Sequence, residues 1–151
     1  RRDQGELRTR LTVRRPQNSN SQRIHFAEGD ACKLSQELQN FDAVLMANLL
    51  CRLPDPVASL KSMGGSRSVV RRGGLLFLVS PYSWLEQHTP KESWLGGKNE
   101  SHGPLRSPDA ISKIIGPEFQ LLRQENLPLL IREHERKYQY IVSHLMIWQR
   151  L

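Results

Sequence analysis

The chain has 151 residues, 38% of them hydrophobic, and its 22 Lys and Arg residues exceed its 15 Asp and Glu residues to give a net charge of +7. That length supports one hydrophobic core, so one domain or part of one is expected. No apolar run could span a bilayer, and the N-terminal RRDQGELRTR lacks the apolar stretch of a secretory signal. Two cysteines, Cys32 and Cys51, make a poor disulfide framework. These features predict a cytoplasmic protein with two free thiols.

Much of the positive charge lies at the N-terminus. Seven arginines fall between Arg1 and Arg23, and the polar run PQNSNSQ at residues 16–22 is typical of a loop. A basic patch can indicate a nucleic-acid partner. No zinc finger or RNA-binding aromatic signature accompanies this one. We therefore expect residues 1–22 to be a basic linker or the remnant of an upstream half, with no nucleic-acid or membrane partner.

Residues 23–39 are expected to form a strand and a short helix. The run RIHFAE at residues 23–28 alternates apolar and polar side chains, which predicts a strand. The following turn, Gly29-Asp30-Ala31, would place Asp30 at the carboxyl end of that strand. A short helix is predicted over residues 33–39.

Two continuous apolar runs predict parallel strands buried on both faces. They are FDAVLMANLL at residues 41–50 and LLFLVS at residues 75–80. With a helix between them, they predict a parallel crossover. Ligands bind at the carboxyl ends of strands in such sheets. Asn48 follows the first strand, and Tyr82 and Trp84 follow the second, so these residues are candidates for a binding site.

The helices are predicted from their first residues. Asp55 can cap a helix that starts at Pro56, because proline at the first helical position loses no hydrogen bond. Ser107 is predicted to cap a second helix that starts at Pro108. Between the first helix and the strand at residues 75–80, Gly73-Gly74 is predicted to form a turn.

The remaining chain predicts a long functional loop and a closing pair of strands. Residues 81–107 hold two tryptophans and show no periodicity, which favours a lid or binding loop. Residues 119–125 and 138–149 are predicted to form an antiparallel pair. The fold class is therefore α/β, with parallel strands closed by an antiparallel C-terminal pair.

The residues at the ends of the predicted strands form one candidate binding site. It consists of the polar and aromatic residues that end strands: Asp30, Asn48, Tyr82 and Trp84. Asp30, beside Ala31 and Cys32, could accept a hydrogen bond from the exocyclic amine of an adenine. Alternatively, Asp30 and Asn48 simply form turns, as such residues often do after strands. Spacing alone leaves both interpretations open.

Other chemistry has little support in the sequence. The five histidines, His25, His88, His102, His134 and His144, show no pair at ligand spacing, so no metal is expected. There is no hydrolase G-x-S-x-G elbow and no Walker loop. Glu133-His134-Glu135 could be an acid/base group, although a solvated charged turn is the more ordinary interpretation.

Four blocks of the sequence resemble the C-terminal methyltransferase domain of the ovothiol biosynthesis enzyme. They are GDACKL at 29–34, FDAVLMANLLCRLPDP at 41–56, GGLLFLVSPYSWLEQHTPKESWLGG at 73–97 and IREHERKYQY at 131–140. That family joins an iron-dependent sulfoxide synthase to a class I S-adenosylmethionine-dependent methyltransferase. The methyltransferase acts on an imidazole nitrogen of 5-thiohistidine (4-mercaptohistidine). The resemblance implies a Rossmann-like sheet, with residues 23–151 as the C-terminal part of the domain.

The sequence departs from the family pattern in two places. Class I methyltransferases hold the cofactor with a glycine-rich loop after their first strand and an acid after their second, and neither segment occurs before Arg23. Gly64-Gly65-Ser66 and Arg72 also replace a more regular approach to the Gly73-Gly74 turn. We therefore expect the back half of the sheet, truncated at its N-terminus and weakly active or inactive by itself.

The resemblance implies a role for each candidate residue. Asn48 and Tyr82 would be catalytic. The cofactor S-adenosylmethionine would be bound by Asp30, Ala31, Cys32, Asn48 and Leu49. The substrate would be bound by Tyr82, Trp84, Trp94 and Arg132. The arginine is chosen because its guanidinium offers a bidentate fork to a carboxylate, and a surface charge is the alternative. No metal is expected in this segment.

Two other functions remain open from the sequence. One is a methyltransferase for a different small heteroaromatic amine. The other is a non-catalytic interaction module whose basic N-terminal stretch contacts an acidic partner. Family resemblance also implies that the sulfoxide synthase region lies on the same polypeptide.

Overall fold

A computed structural model describes residues 1–17, 21–100 and 103–151. The strands are β1 (Arg2–Gln4), β2 (Leu7–Arg8), β3 (Phe41–Ala47), β4 (Val70–Ser80), β5 (Lys98–Glu100), β6 (Gly103–Leu105), β7 (Phe119–His134) and β8 (Lys137–Arg150). The helices are α1 (Pro56–Ser62) and α2 (Ser107–Ile115), with 3-10 turns at Ser21–Arg23, Leu50–Arg52 and Lys91–Ser93. None of the helices in these ranges has the length and hydropathy needed to span a bilayer.

The chain forms two compact units. The small unit comprises residues 1–28 and 128–141, and the large unit comprises residues 29–127 and 142–151. In the small unit, β1 pairs antiparallel with β2. The Thr9 hydroxyl and the Arg1 guanidinium both donate to Asp3, and these bonds lower the pKa of the Asp3 carboxyl. The predicted loop within residues 16–22 includes residues 18–20, which lie outside the described ranges.

A four-stranded sheet in the order β3-β4-β8-β7 contains the predicted strands. β3 runs parallel to β4, which confirms the predicted crossover. β8 runs antiparallel to β4, with Leu78 opposite Met146 and Ser80 opposite His144. β7 lies beside β8 and confirms the closing antiparallel pair. Both closing strands are longer than predicted.

The core lies on one face of this sheet. Leu76 and Leu78 of β4 are buried, and so are their neighbours Met146 and Trp148 on β8. Leu60 of α1 and Ile111 of α2, both fully buried, belong to the same cluster. The large unit is therefore a sheet with its two helices packed into a single apolar core.

The second face of the sheet is more open than predicted. In β3, Leu45 is 65% exposed, whereas Met46, which points to the opposite face, is 4% exposed. Phe77 of β4, which pairs with Leu45, is partly exposed. The prediction of two strands buried on both faces is therefore wrong. Within the described residues, β3 is the edge of the sheet and the helices cover one face only.

The predicted glycine turn before the second strand is also wrong. Gly73 and Gly74 lie inside β4, where the pairing with β3 shifts register between Phe41–Val70 and Ala43–Leu75. Gly73 has a φ of 72°, and a Cβ on Gly74 would lie 2.9 Å from the Arg71 carbonyl oxygen. The glycines thus permit an irregularity within a continuous strand.

The two helices begin close to where the sequence predicts. Asp55 caps α1 by accepting a hydrogen bond from the Ala58 amide at 2.9 Å, with Pro56 as the first helical residue. Ser107 is the first residue of α2 and makes no capping bond, since Arg106 holds the cap position. The Ser107 hydroxyl instead accepts a hydrogen bond from the Trp84 indole. A buried side-chain partner therefore replaces the predicted cap.

The strand and helix predicted over residues 23–39 do not form. Residues 24–30 have no regular structure, and turns replace the helix at residues 33–39. Phe26, one of the two apolar residues of the predicted strand, is 95% exposed. An alternating pattern gains little without a strand to pair with and a core to cover.

Candidate active site

The residues that follow β3 and β4 have unusual backbone conformations. Asn48 and Tyr82 both have a φ of 52°, in the left-handed region. Asparagine tolerates this region, but an aromatic residue there costs about 1–2 kcal/mol. Such strain persists where surrounding contacts hold it, and it concentrates at binding and catalytic sites. The two predicted catalytic residues thus share a feature that the sequence pattern did not reveal.

Hydrogen bonds hold both strained residues. The Asn48 amide donates to the Val79 carbonyl at 2.7 Å, and the Ser143 hydroxyl donates to Asn48 Oδ1 at 3.0 Å. The Tyr82 amide donates to the buried Ser80 hydroxyl at 3.1 Å. The side chain and backbone of Asn48 are therefore fixed by the neighbouring strands, while its amide nitrogen can still donate to a ligand.

Tyr82 and His144 form a pair at the carboxyl end of β4. Tyr82 Oη lies 2.8 Å from His144 Nδ1, and the ring centroids are 5.8 Å apart. The pairing of β4 with β8 sets this distance, because Ser80 lies opposite His144. Tyr82 Oη also lies 3.6 Å from Met146 Sδ, a weak acceptor.

The pair is uncharged at neutral pH. Burial lowers the pKa of His144 below its usual 6.5 and raises that of Tyr82 well above its usual 10. Two arrangements satisfy the distances: either Tyr82 donates to Nδ1, or His144 Nδ1–H donates to Tyr82, which then donates to Met146. The second arrangement leaves His144 Nε2 as a proton acceptor.

An open cleft of about 860 Å³ lies beside this pair. The residues that line it are Tyr82, Lys91, Gly97, Lys98, Asn99, Pro104, Leu105, Arg106, Ser107, Pro108 and His144. All of them belong to the large unit. Its size suits a small molecule, and its wall is formed by the predicted lid segment together with the start of α2.

Hydrogen bonds from Trp84 and Thr89 fasten the predicted lid segment to α2 and to Leu53, and a bond from Trp94 lies within the segment. The Trp84 indole, 8% exposed, donates to Ser107 at 3.0 Å, and the Trp94 indole donates to the Thr89 carbonyl at 2.8 Å. The fully buried Thr89 hydroxyl donates to the Leu53 carbonyl at 2.7 Å. The two tryptophans predicted to bind substrate thus lie packed against the core in this conformation.

The predicted adenine-binding residues lie in a turn. The Cys32 amide donates to Asp30 Oδ1 at 2.8 Å, and the Cys32 thiol donates to the Asp55 carbonyl at 3.3 Å. This is the geometry of a turn former. It uses one carboxylate oxygen, so the other can accept from a ligand amine. Ala31 is partly buried against the core, and Leu49 is 36% exposed.

These residues fit part of an S-adenosylmethionine site. An exposed carboxylate beside partly buried Ala31 and Cys32 suits adenine, which needs an acceptor and an apolar wall. Asn48 offers its amide nitrogen, and Leu49 offers apolar surface. The fit concerns the adenine and the sulfonium ends of the cofactor.

Arg132 lies in the small unit. Its guanidinium carbon is 5.7 Å from the centroid of the Tyr138 ring, and its Nε donates to the His134 carbonyl at 3.2 Å. Across the turn between β7 and β8, Lys137 pairs with Glu133 and lowers the pKa of that carboxyl. The substrate role of Arg132 remains a prediction. Glu133 and His134 end β7, and Glu135 lies in the turn that follows. No cluster of metal-ligating residues occurs within the described ranges, which omit His102.

Sequence reasoning missed His144 and Ser143. Both lie on β8, which was predicted as a partner of β7, whereas β8 also pairs with β4 and brings them to the carboxyl ends of the parallel strands. The signal that could have found them is the polar Ser143-His144 step inside the otherwise apolar second half of β8. Two polar residues in a buried strand need hydrogen-bond partners.

Comparisons with known proteins find a family model that matches part of the chain and solved structures of similar fold. A family model described as "Methyltransferase domain" matches residues 7–78. A solved S-adenosylmethionine-dependent methyltransferase from Methanosarcina mazei is 19% identical, with a TM-score of 0.53 over 82% of this chain and 65% of that one. The family model covers 72 of the 151 residues, just under half of the chain, and the likeness to this solved structure concerns the fold alone.

A second solved structure also has a similar fold. It is reported under "Conversion of a Disulfide Bond into a Thioacetal Group during Echinomycin Biosynthesis", is 14% identical and has a TM-score of 0.53. The structural match covers 81% of this chain and 54% of that protein. The chain thus spans less than two thirds of both structures, and likeness at these identities concerns the fold alone. No curated protein matches the sequence.

Proposed function

We propose that this domain transfers a methyl group from S-adenosylmethionine to an imidazole nitrogen of 5-thiohistidine (4-mercaptohistidine), a step of ovothiol biosynthesis. The resemblance of four sequence blocks to that family motivates the choice of substrate. The observation that carries the proposal is the Tyr82–His144 pair, which lies at the carboxyl end of β4 and faces a cleft sized for a small molecule. Ligands of open α/β sheets bind at this edge.

The chemistry needs alignment of a nitrogen lone pair with the methyl group. When bound, S-adenosylmethionine supplies a methyl group on a cationic sulfur. The ring nitrogen forms a bond to the methyl carbon as the carbon–sulfur bond breaks, and the sulfur keeps the electron pair. Any proton on the attacking nitrogen must leave before attack. His144 Nε2 would accept this proton when Nδ1–H donates to Tyr82.

The other residues would position the reactants. Asn48, held by Ser143, would contact the cofactor near its sulfonium, and Asp30 would accept from the adenine amine. Tyr82 would face the imidazole and orient His144. Alignment and exclusion of water supply most of the acceleration expected for such a transfer.

A methyl-transfer assay tests the proposal. The chain is incubated with 5-thiohistidine and S-adenosylmethionine labelled in its methyl group, and labelled N-methyl product is measured by mass spectrometry. Slow transfer is expected, and substitution Asn48→Ala or Tyr82→Phe should reduce it on the order of 100-fold through misalignment. Tyr140→Phe, at a tyrosine that is 69% exposed in the small unit, is the matched control.

The outcomes of this assay are distinct. Labelled product that disappears in the two site variants but not in Tyr140→Phe supports the assignment. Product formation unaffected by either substitution would remove Asn48 and Tyr82 from the site. Absence of product from 5-thiohistidine, with transfer to another heteroaromatic amine, would contradict the substrate and keep the methyltransferase.

The proposed partner is an iron-dependent sulfoxide synthase region on the same polypeptide, as in the family. An antibody raised against residues 81–100 would detect the native protein in its source cells. The proposal expects a band far larger than the 17.4 kDa of this chain. A band at 17.4 kDa alone would contradict a fused partner.

A further inference from the structure

We propose that the cleft selects a methyl acceptor that carries a carboxylate, and that Lys91, Lys98 and Arg106 bind this carboxylate. This inference rests on the proposed function for the identity of the acceptor. It assigns the acid group of the substrate to the cleft of the large unit, whereas the sequence predicted Arg132 of the small unit for that role.

The charge of the cleft is the first support. Of the described residues that line it, three carry a full positive charge and none is acidic. Ser107 and Pro108, the first residues of α2, also line it, and the start of a helix adds partial positive charge. An anion is the ligand that such a lining favours.

The cleft is unsuited to the cofactor. S-adenosylmethionine carries a net positive charge, because its sulfonium and ammonium outnumber its single carboxylate, and three neighbouring cations oppose its binding. The predicted cofactor residues Asp30, Asn48 and Leu49 are absent from the described lining. The cleft therefore serves the acceptor, and the cationic cofactor would lie beside Asp30 and Asn48.

The backbone that carries the cations is well supported. Lys98 begins β5 and lies opposite Leu105 of β6, the residue before Arg106. The Gly97 amide donates to the Leu105 carbonyl at 2.8 Å, which closes the same pairing. Lys91 begins the 3-10 turn that leads to Trp94, whose indole is anchored on Thr89. Lys98 and Arg106 thus extend from a hydrogen-bonded strand pair and its end, and Lys91 extends from a turn that the Trp94 indole anchors.

The arrangement also places binding of the ring and binding of the carboxylate at different residues of one cleft. The Tyr82–His144 pair is uncharged and suits the neutral imidazole, while the cations suit the carboxylate. Arg106 can offer a bidentate fork, and the lysines contribute point charges. An acceptor with an azole ring and a carboxylate would contact both groups.

Calorimetric binding of two matched compounds tests the inference. 5-Thiohistidine and its carboxamide differ only at the acid group, and each is titrated into the chain with saturating S-adenosylhomocysteine. Charge-assisted hydrogen bonds predict that the acid binds about 10–100-fold more tightly than the amide. The double substitution Lys91→Gln and Arg106→Gln should remove most of that preference. Lys113→Gln, at an exposed lysine of α2 outside the described lining, is the matched control.

Each result bears on one proposal. Equal affinity for acid and amide, or a preference that survives the double substitution in a protein that melts normally, would overturn the carboxylate-binding role of the cleft. A preference lost in Arg132→Gln, but kept in the double variant, would move the carboxylate to the small unit. Charge-selective binding without methyl transfer would support the cleft and contradict the proposed enzyme, whereas transfer without charge selectivity would do the reverse.

Discussion

Two irregular segments of this chain differ in what holds them. The approach segment, residues 24–40, precedes β3, and the bridging segment, residues 81–97, leads from β4 to β5. The approach segment leaves Phe26 95% exposed. The bridging segment buries Trp84 and Thr89 and uses both in hydrogen bonds to other elements.

The difference shows that regular pattern and firm structure are separate properties. The approach segment has the alternation expected of a strand, but no strand pairs with it in the described residues. The bridging segment has no periodicity, but buried polar side chains fix it at several points. Buried hydrogen bonds are costly to leave unmade, so a segment that contains them is held in one conformation.

The largest expected effect is the loss of the Trp84 side chain. Trp84→Ala removes a buried ring and the hydrogen bond to Ser107, and should lower the free energy of unfolding by about 3–5 kcal/mol. Phe26→Ala, in the approach segment, should change it by less than about 0.5 kcal/mol. Urea denaturation measures both. Equal destabilisation by Trp84→Ala and Phe26→Ala would contradict the difference in stability between the two segments.

A smaller effect is expected where the bridging segment meets Leu53. Thr89→Val keeps the shape of the side chain but leaves the Leu53 carbonyl without its donor, which should cost about 1–3 kcal/mol. Thr12→Val, at an exposed threonine, is the control. A Thr89→Val protein as stable as the wild type would show that this bond does not hold the segment.

A substitution of Asp30 distinguishes a structural role from a binding role in the approach segment. Asp30→Ala removes the turn bond to Cys32 and should cost no more than about 1 kcal/mol of stability. If Asp30 also accepts from adenine, affinity for S-adenosylmethionine should fall about tenfold. Calorimetry of both proteins decides between the two interpretations, since unchanged affinity would leave Asp30 as a turn former alone.

The smallest effect concerns pH. The pKa of His144 is lowered by burial, so below pH 6.5 the unfolded chain takes up a proton that the folded chain resists. Stability should therefore fall as pH drops through 6.5, and less steeply in His144→Gln. Tyr82 contacts His144, and the charged residues of the cleft that His144 also lines are Lys91, Lys98 and Arg106. Melting temperatures from pH 7.5 to 5.5 measure the difference, and parallel curves for both proteins would contradict it.

Local signals in the sequence predicted the features that depend on local chemistry. Asp55 and Pro56 start α1 as expected, because a cap and a first-turn proline act within a few residues. The parallel pairing of β3 with β4 also followed from apolar runs separated by a helix. Ser107 was misjudged because its hydroxyl meets Trp84, a partner 23 residues away.

Features set by distant pairing could not be read from the sequence. The exposed face of Leu45 depends on what covers the sheet, and the site position of His144 depends on β8 lying beside β4. The left-handed backbone of Tyr82 carries no sequence signal at all, since aromatic residues rarely adopt it. The rule that ligands bind at the carboxyl ends of parallel strands identified Tyr82, but it did not identify its partner His144.

The measurement that tests the central claim most directly is calorimetric titration of this chain with S-adenosylmethionine. The account predicts binding that weakens in Asp30→Ala and Asn48→Ala and is unchanged in Lys113→Gln. Absence of binding in the folded chain, or binding indifferent to both site substitutions, would contradict a cofactor site at the carboxyl ends of these strands.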